Sequence, residues 1–176
     1  MTAMSRNGRK SSACAICKLD HGLSAKDALR LQARTANRLA GALRGVARDE
    51  VARRPKPKKW SMLEILVHLR DCEIVYGSRI RKMIAEEGGA LMPFDQDRWA
   101  DSLAYRREEP KVALASFVAL RKANLALLAV LGKKALDRHG IHPAYGRLTV
   151  RDLAVHWAAH DDKHIGQVRA IRDRRV

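Results

Sequence analysis

His156, His160 and His164 recur at intervals of four near the end of the chain. On a helix, residues i and i+4 share a face, with Cβ atoms ~5–6 Å apart. Two imidazoles so placed can converge on one metal ion, because zinc takes imidazole nitrogens at ~2.0–2.1 Å. Helical phase decides which two. With Trp157 as the reference direction, Val150, Leu153, His160, His164, Val168 and Ile171 all fall within roughly 60° of it, whereas His156 lies near 100° to one side. His160 and His164 therefore occupy the apolar stripe and His156 its flank. A buried imidazole nitrogen without a partner costs ~1–3 kcal/mol. A cation, a backbone carbonyl or a neighbouring helix would each supply that partner.

A third candidate lies far upstream. His68 shares a helical stripe with Ile65, Cys72 and Tyr76. Facing helices of a bundle can send ligands into one interior site, and three neutral histidines leave a coordination position open for water or substrate. A lone histidine on such a stripe is otherwise an ordinary core residue. Cys72, one turn further on, reads as a small buried hydrophobe, although its thiol could also ligate.

Other groups read as structural. Cys14 and Cys17 form a C-x-x-C pair followed by His21, but no second ligand pair follows at a metal-binding distance and no βαβ pattern surrounds them. They read as accessible thiols in a flexible segment. His21 and His139 have no convergent partners in the sequence. His142-Pro143-Ala144-Tyr145-Gly146 reads as a rigid turn, since a residue before proline is pushed out of helical conformation. The functional alternative places His142 or Tyr145 at a substrate mouth.

Four long helices are expected to position these residues. Ser24 caps a first helix that ends near Gly45 to Glu50, and Ser61 with Glu64 forms a capping box for a second reaching Glu87. Pro110 suits the first position of a third helix that ends at Gly132, and Thr149 with Asp152 starts a fourth reaching Arg172. Pro55 and Pro57 break the helical pattern between the first two, and one short helical turn is expected around Asp97 to Leu103. No strand pattern stands out. The fold class is all-α, a four-helix bundle, with a basic flexible tail over residues 1–23 and one domain over 24–176.

The chain has 176 residues, a formal net charge of +16 and three cysteines. One domain of this size buries enough apolar surface to fold without disulfides or metal. The odd cysteine count without a framework fits a reducing cytoplasm. No uninterrupted apolar run approaches the ~18–20 residues of a membrane span. The positive charge favours anionic partners, but it is scattered over tail, linker and C-terminus. That distribution argues against specific nucleic-acid binding.

Trp60-Ser61 opening a helix that carries His68-Leu69-Arg70-Asp71-Cys72-Glu73 resembles the DinB-like family of metal-binding helical bundles. The stretch from Gly140 to Val150, followed by His160-Asp161-Asp162-Lys163-His164-Ile165-Gly166-Gln167, is similar to the same family. The resemblance spans residues 24–173. It implies a four-helix bundle, commonly dimeric, with a three-histidine metal site whose ligands fall on His68, His160 and His164. It also implies a divalent cation, zinc or nickel before iron or manganese, and a small-molecule substrate. Some members of the family are S-transferases that use a low-molecular-weight thiol such as bacillithiol, mycothiol or glutathione.

These readings combine into a metal-dependent transferase that joins a small thiol to an electrophile in detoxification or stress response. Two alternatives remain: a metal-dependent hydrolase of a small substrate, and a non-catalytic module whose basic surface meets nucleic acid or an acidic partner. Asp71 is expected on the surface, while Glu73 and Gln167 are either polar supports of the site or ordinary bundle contacts.

Overall fold

The computed structural model describes residues 13–175. Among these, the helices are α1 (Ala25–Leu43), α2 (Arg48–Ala52), α3 (Met62–Ala85), α4 (Gln96–Ser102), α5 (Pro110–Leu131) and α6 (Val150–Arg172). A short antiparallel hairpin, β1 (His139–His142) and β2 (Gly146–Thr149), precedes α6. The four long helices form the expected bundle.

Local sequence starts each long helix. The Ser24 side chain accepts from Asp27 N, and Ser61–Glu64 and Thr149–Asp152 both close as reciprocal capping boxes. Such a cap contributes ~1 kcal/mol. Pro110 sits in the first turn of α5, where its missing N–H has no helical partner to lose. Between them the helices bury two adjoining apolar clusters. One surrounds Leu39, Leu66, Tyr105 and Phe117, and the other surrounds Ile80, Met83, Leu153 and Trp157.

The main packing joins α1 to α6 and α5, and α3 to α5 and α6. Helices consecutive in the chain, α1 with α3 and α5 with α6, therefore stand across the diagonals of the bundle. Crossing a diagonal needs long connections, and these hold α2 and the hairpin, while α4 lies between the packed pair α3 and α5. The first carries α2, which sequence periodicity merged with the end of α1; Gly45, at φ 74°, separates the two.

The second connection carries the hairpin, which the sequence reading missed. Each strand has only four residues, too few for an alternation to show, and glycines stand in both. The hairpin docks on the chain after α3: Leu91 N donates to Ile141 O (2.8 Å) and Ile141 N to Gly89 O (3.0 Å). Gly140 permits this, since a Cβ there would come within 2.6 Å of Leu91 Cδ2.

Two further expectations bear on the structure. Within the tail assigned to residues 1–23, residues 13–23 turn back on one another. Cys14 N donates to Leu19 O (2.8 Å) and Lys18 N to Cys14 O (2.9 Å), and Cys14 is buried. The remaining residues of that tail, 1–12, lie outside the described residues. Secondly, α5 is long and apolar enough to cross a bilayer by length and composition, because a count of uninterrupted apolar residues misses a helix with a polar break in its middle. That break is Arg121, which is engaged inside the bundle.

Arg121 is the polar centre of the fold. Its Nε and Nη2 donate to Glu73 Oε1 (2.7 and 2.5 Å), and its Nη1 donates to Asp161 Oδ2 (2.7 Å) and Gln32 O (3.0 Å). The guanidinium also lies 5.0 Å from the Phe117 ring and 4.9 Å from the Trp157 ring. One side chain of α5 thus ties α1, α3 and α6 together. Asp71, expected on the surface, is buried as well: Tyr105 Oη donates to its Oδ2 (2.5 Å) and Arg70 Nε to its Oδ1 (2.8 Å).

Candidate metal centre

The structure brings His68, His160 and His164 together. The Nε2 atoms of His68 and His160 are 3.1 Å apart, as are those of His160 and His164. The His68 and His164 rings lie 4.8 Å apart between centroids. His68 comes from α3 and the other two from adjacent turns of α6, a pair of helices that pack directly on each other.

Hydrogen bonding among the three rings does not account for this geometry. The Nε2 of His160 carries either one proton or one lone pair, so it makes one good bond to one neighbour. The second 3.1 Å contact is then at best the weak arm of a bifurcated bond. A cation accepts all three lone pairs at once, and two imidazole nitrogens on a tetrahedral zinc stand ~3.4 Å apart. The donor set therefore fits a divalent transition metal. Among the described residues, the buried Nδ1 atoms of His160 and His164 have no hydrogen-bond partner.

The surroundings keep the imidazoles neutral. Burial lowers His68 to about 3, with His164 and Lys163 adding positive charge nearby. Burial likewise takes His164 to about 4 and pushes His160 well below its ordinary value. Neutral rings keep the lone pairs that ligation needs. The His68 ring is held on two sides, by Trp60 at 5.0 Å and by Phe94 stacked at 6.0 Å.

Cys72 is closer than the sequence reading allowed. Its Sγ is 3.6 Å from His68 Nε2, and the donor atoms of His68, Cys72 and His160 lie within 4.8 Å of one another. Full burial, with Asp161 and Glu73 nearby, pushes its thiol well up, so it stays protonated without a cation.

Two cavities flank the histidines. The larger, about 750 Å³, is lined by His160 and His164 with Lys56, Lys58, Lys59, Lys163 and Trp60. The basic linker is thus a wall of the site. Arg54, paired with the buried Glu64 (2.5 Å), holds that linker against the start of α3. The smaller cavity, about 150 Å³, is lined by His68, Cys72, Arg79, His142, Tyr145 and His160, among others. Arg79 Nη2 lies 3.2 Å from His142 Nε2, and the Tyr145 ring stacks on His142 at 4.5 Å. His142 and Tyr145 of the turn therefore line the same cavity as His68 and His160. Gln167 lines the larger cavity, whereas Glu73 belongs to the Arg121 network.

A family model of the DinB superfamily matches residues 32–168. The chain belongs to the DinB superfamily. Its relatives include an Oceanobacillus iheyensis protein named "Putative metal-dependent hydrolase OB0782", 24% identical over 66% of this chain and 67% of that one. A second protein of that organism, "Putative metal-dependent hydrolase OB0413", is 20% identical over 76% of each chain. Among solved structures, YfiT from Bacillus subtilis, described as "a probable metal-dependent hydrolase with an unusual four-helix bundle topology", superposes with a TM-score of 0.79 at 19% identity, over 85% of this chain and 86% of its own. The mycothiol-dependent maleylpyruvate isomerase superposes with a TM-score of 0.67 at 10% identity, over 84% of this chain and 62% of its own. These likenesses establish a DinB-like four-helix bundle.

Within this DinB fold, the two α6 histidines singled out by helical phase lie against His68, which its own stripe and the family resemblance both named. The linker lysines, Arg79 and the closeness of Cys72 were missed. The linker lysines reach the cluster through the connection between α1 and α3, while Arg79 and Cys72 reach it from α3 itself, and no periodicity encodes that convergence. His21 was also misjudged: its Nε2 lies 2.9 Å from Cys17 Sγ.

Proposed function

We propose that this DinB-superfamily protein is a divalent-metal-dependent transferase that joins a low-molecular-weight thiol to a small electrophile. His68, His160 and His164 would hold the ion through Nε2, with zinc or nickel favoured by imidazole donors and iron or manganese also accommodated. Once bound, the ion would supply a Lewis-acid position that lowers the pKa of a coordinated thiol or water.

The observation that carries the reading is that two cavities meet at the histidine cluster, with His160 and Gln96 lining both. A transfer reaction must bring two molecules to one point, and hydrolysis of one small substrate needs only one such chamber. The lysines of the larger cavity match the carboxylates of thiols such as glutathione or bacillithiol. In the smaller cavity Arg79, with Tyr145 beside His142, can orient a polar electrophile. The mycothiol-dependent structural neighbour supports a thiol cosubstrate.

The hydrolase reading keeps the same ligands and rests on the names of the relatives. One experiment separates the two. Protein purified without a polyhistidine tag is analysed for metal, then assayed for loss of small electrophiles with and without glutathione, bacillithiol or mycothiol. Thiol-dependent loss that His160→Ala abolishes supports the transferase. Loss at the same rate without thiol, with water as the second reactant, assigns the hydrolase.

A further inference from the structure

A second donor cluster lies one helical turn away on α6. Cys14, Cys17, His21 and His156 bring two thiols and two imidazoles together, with all four donor atoms within 4.8 Å of one another. The segment before α1 makes this possible. Cys14 and Cys17 sit on a tight turn closed by Lys18 N donating to Cys14 O, with Lys18 itself at φ 62°. The chain then returns through His21 and Gly22, at φ 59°, to the cap of α1. His156 completes the group from the flank of α6. Its Nδ1 is 3.6 Å from Cys14 Sγ, and His21 Nε2 is 2.9 Å from Cys17 Sγ.

We propose that Cys14, Cys17, His21 and His156 form a structural zinc site that fastens the segment before α1 to the bundle. Sulfur and nitrogen on one tetrahedral zinc stand ~3.6 Å apart, given Zn–S ~2.3 Å and Zn–N ~2.0–2.1 Å. The Cys14–His156 separation meets that value. The Cys17–His21 pair must open by ~0.7 Å to reach the same spacing, and both side chains are only half-buried. Two cysteines and two histidines fill all four positions of a tetrahedral ion, which is the composition of a closed structural site.

The chemistry of this set differs from that of the three histidines. Thiolates select soft and borderline ions, so this site favours zinc over manganese or magnesium. Its consequence for the fold is local. Ile16, inside the Cys14–Cys17 turn, lines the smaller cavity beside His156 and His160. An ion at this position would hold Ile16 there as part of the wall.

The test uses untagged full-length protein, purified under reducing conditions with zinc. Wild type is expected to hold about two zinc ions and Cys14→Ser/Cys17→Ser about one. His68→Ala/His164→Ala, which removes the three-histidine set, should keep the Cys14–Cys17 site and, loaded with cobalt(II), its thiolate charge-transfer absorption. That absorption should vanish in Cys14→Ser/Cys17→Ser with the helical circular dichroism unchanged. Independently of any variant, zinc should slow alkylation of Cys14 and Cys17 by about tenfold or more, read by mass spectrometry, because a ligated thiolate is a poor nucleophile while bound. Equal zinc content in wild type and Cys14→Ser/Cys17→Ser, or equal alkylation with and without zinc, overturns the proposal. Failure of the three-histidine set shows separately, as unchanged zinc content in His68→Ala/His164→Ala.

Discussion

Arg121→Met isolates what the buried ion network contributes. The substitution keeps a side chain of similar length against Phe117 and Trp157 but leaves Glu73 and Asp161 without their shared cation. Removing one partner from a buried pair typically costs ~3–5 kcal/mol. Two carboxylates are orphaned here, yet the cost should stay within that range, because protonation relieves part of it. Burial already pushes Glu73 up to about 7, and burial also raises Asp161. At ~2–4 °C per kcal/mol for a chain of this size, the melting temperature should fall by about 6–20 °C. The pH dependence has a definite sign. A carboxyl whose folded pKa is raised contributes stability at low pH that is lost as pH rises through the folded value. The deficit of the variant relative to wild type should therefore shrink between pH 7 and pH 5, and the histidine contributions cancel in that difference. Thermal and urea unfolding followed by circular dichroism measure it. A deficit below ~1 kcal/mol, or one equal at the two pH values, would refute this account of the network. So would a Glu73→Gln/Arg121→Met/Asp161→Asn protein no more stable than the single variant.

Metal-free protein should lose stability as pH falls below ~6.5, the unfolded histidine value, towards the folded values of about 3 for His68 and about 4 for His156 and His164. Each such histidine adds up to ~1.4 kcal/mol per pH unit in that window, and a melting temperature constant from pH 7 to 5 would contradict it. Gly77→Ala should cost ~1–3 kcal/mol in urea unfolding, because its Cβ would meet Asn124 Oδ1 at 2.5 Å and Asn124 is held by Glu73. Gly166→Ala, with nothing within 4 Å of its Cβ, should instead stabilise α6 by up to ~1 kcal/mol. Lys58→Glu/Lys163→Glu should raise KM for a carboxylate-bearing thiol about tenfold with kcat held; an unchanged KM would remove these lysines from thiol recognition.

The parts of the fold that repeat were legible in the sequence. Ser61–Glu64 and Thr149–Asp152 announced two helices, and the Trp157 reference direction separated His160 and His164 from His156. Groups that meet only through tertiary structure were not. Arg121 reads as a break in an apolar helix until Glu73 and Asp161 are seen around it. Asp71 reads as a surface charge until Tyr105 covers it. The cysteines before α1 were set aside for want of a nearby second ligand pair, and the fourth donor lies more than a hundred residues on, at His156. Four-residue strands with a glycine in each offer no period to detect.

The diagonal order of the helices has a consequence for biosynthesis. His68 and His160 are separated by 92 positions, and α6, made after α1, α3 and α5, supplies His160 and His164 together. A chain still on the ribosome has α1, α3 and α5 before it has a second imidazole to offer the metal. Capture of the ion would then be a late step in the order α1, α3, α5, α6, open only to molecules in which α6 has been made and has docked.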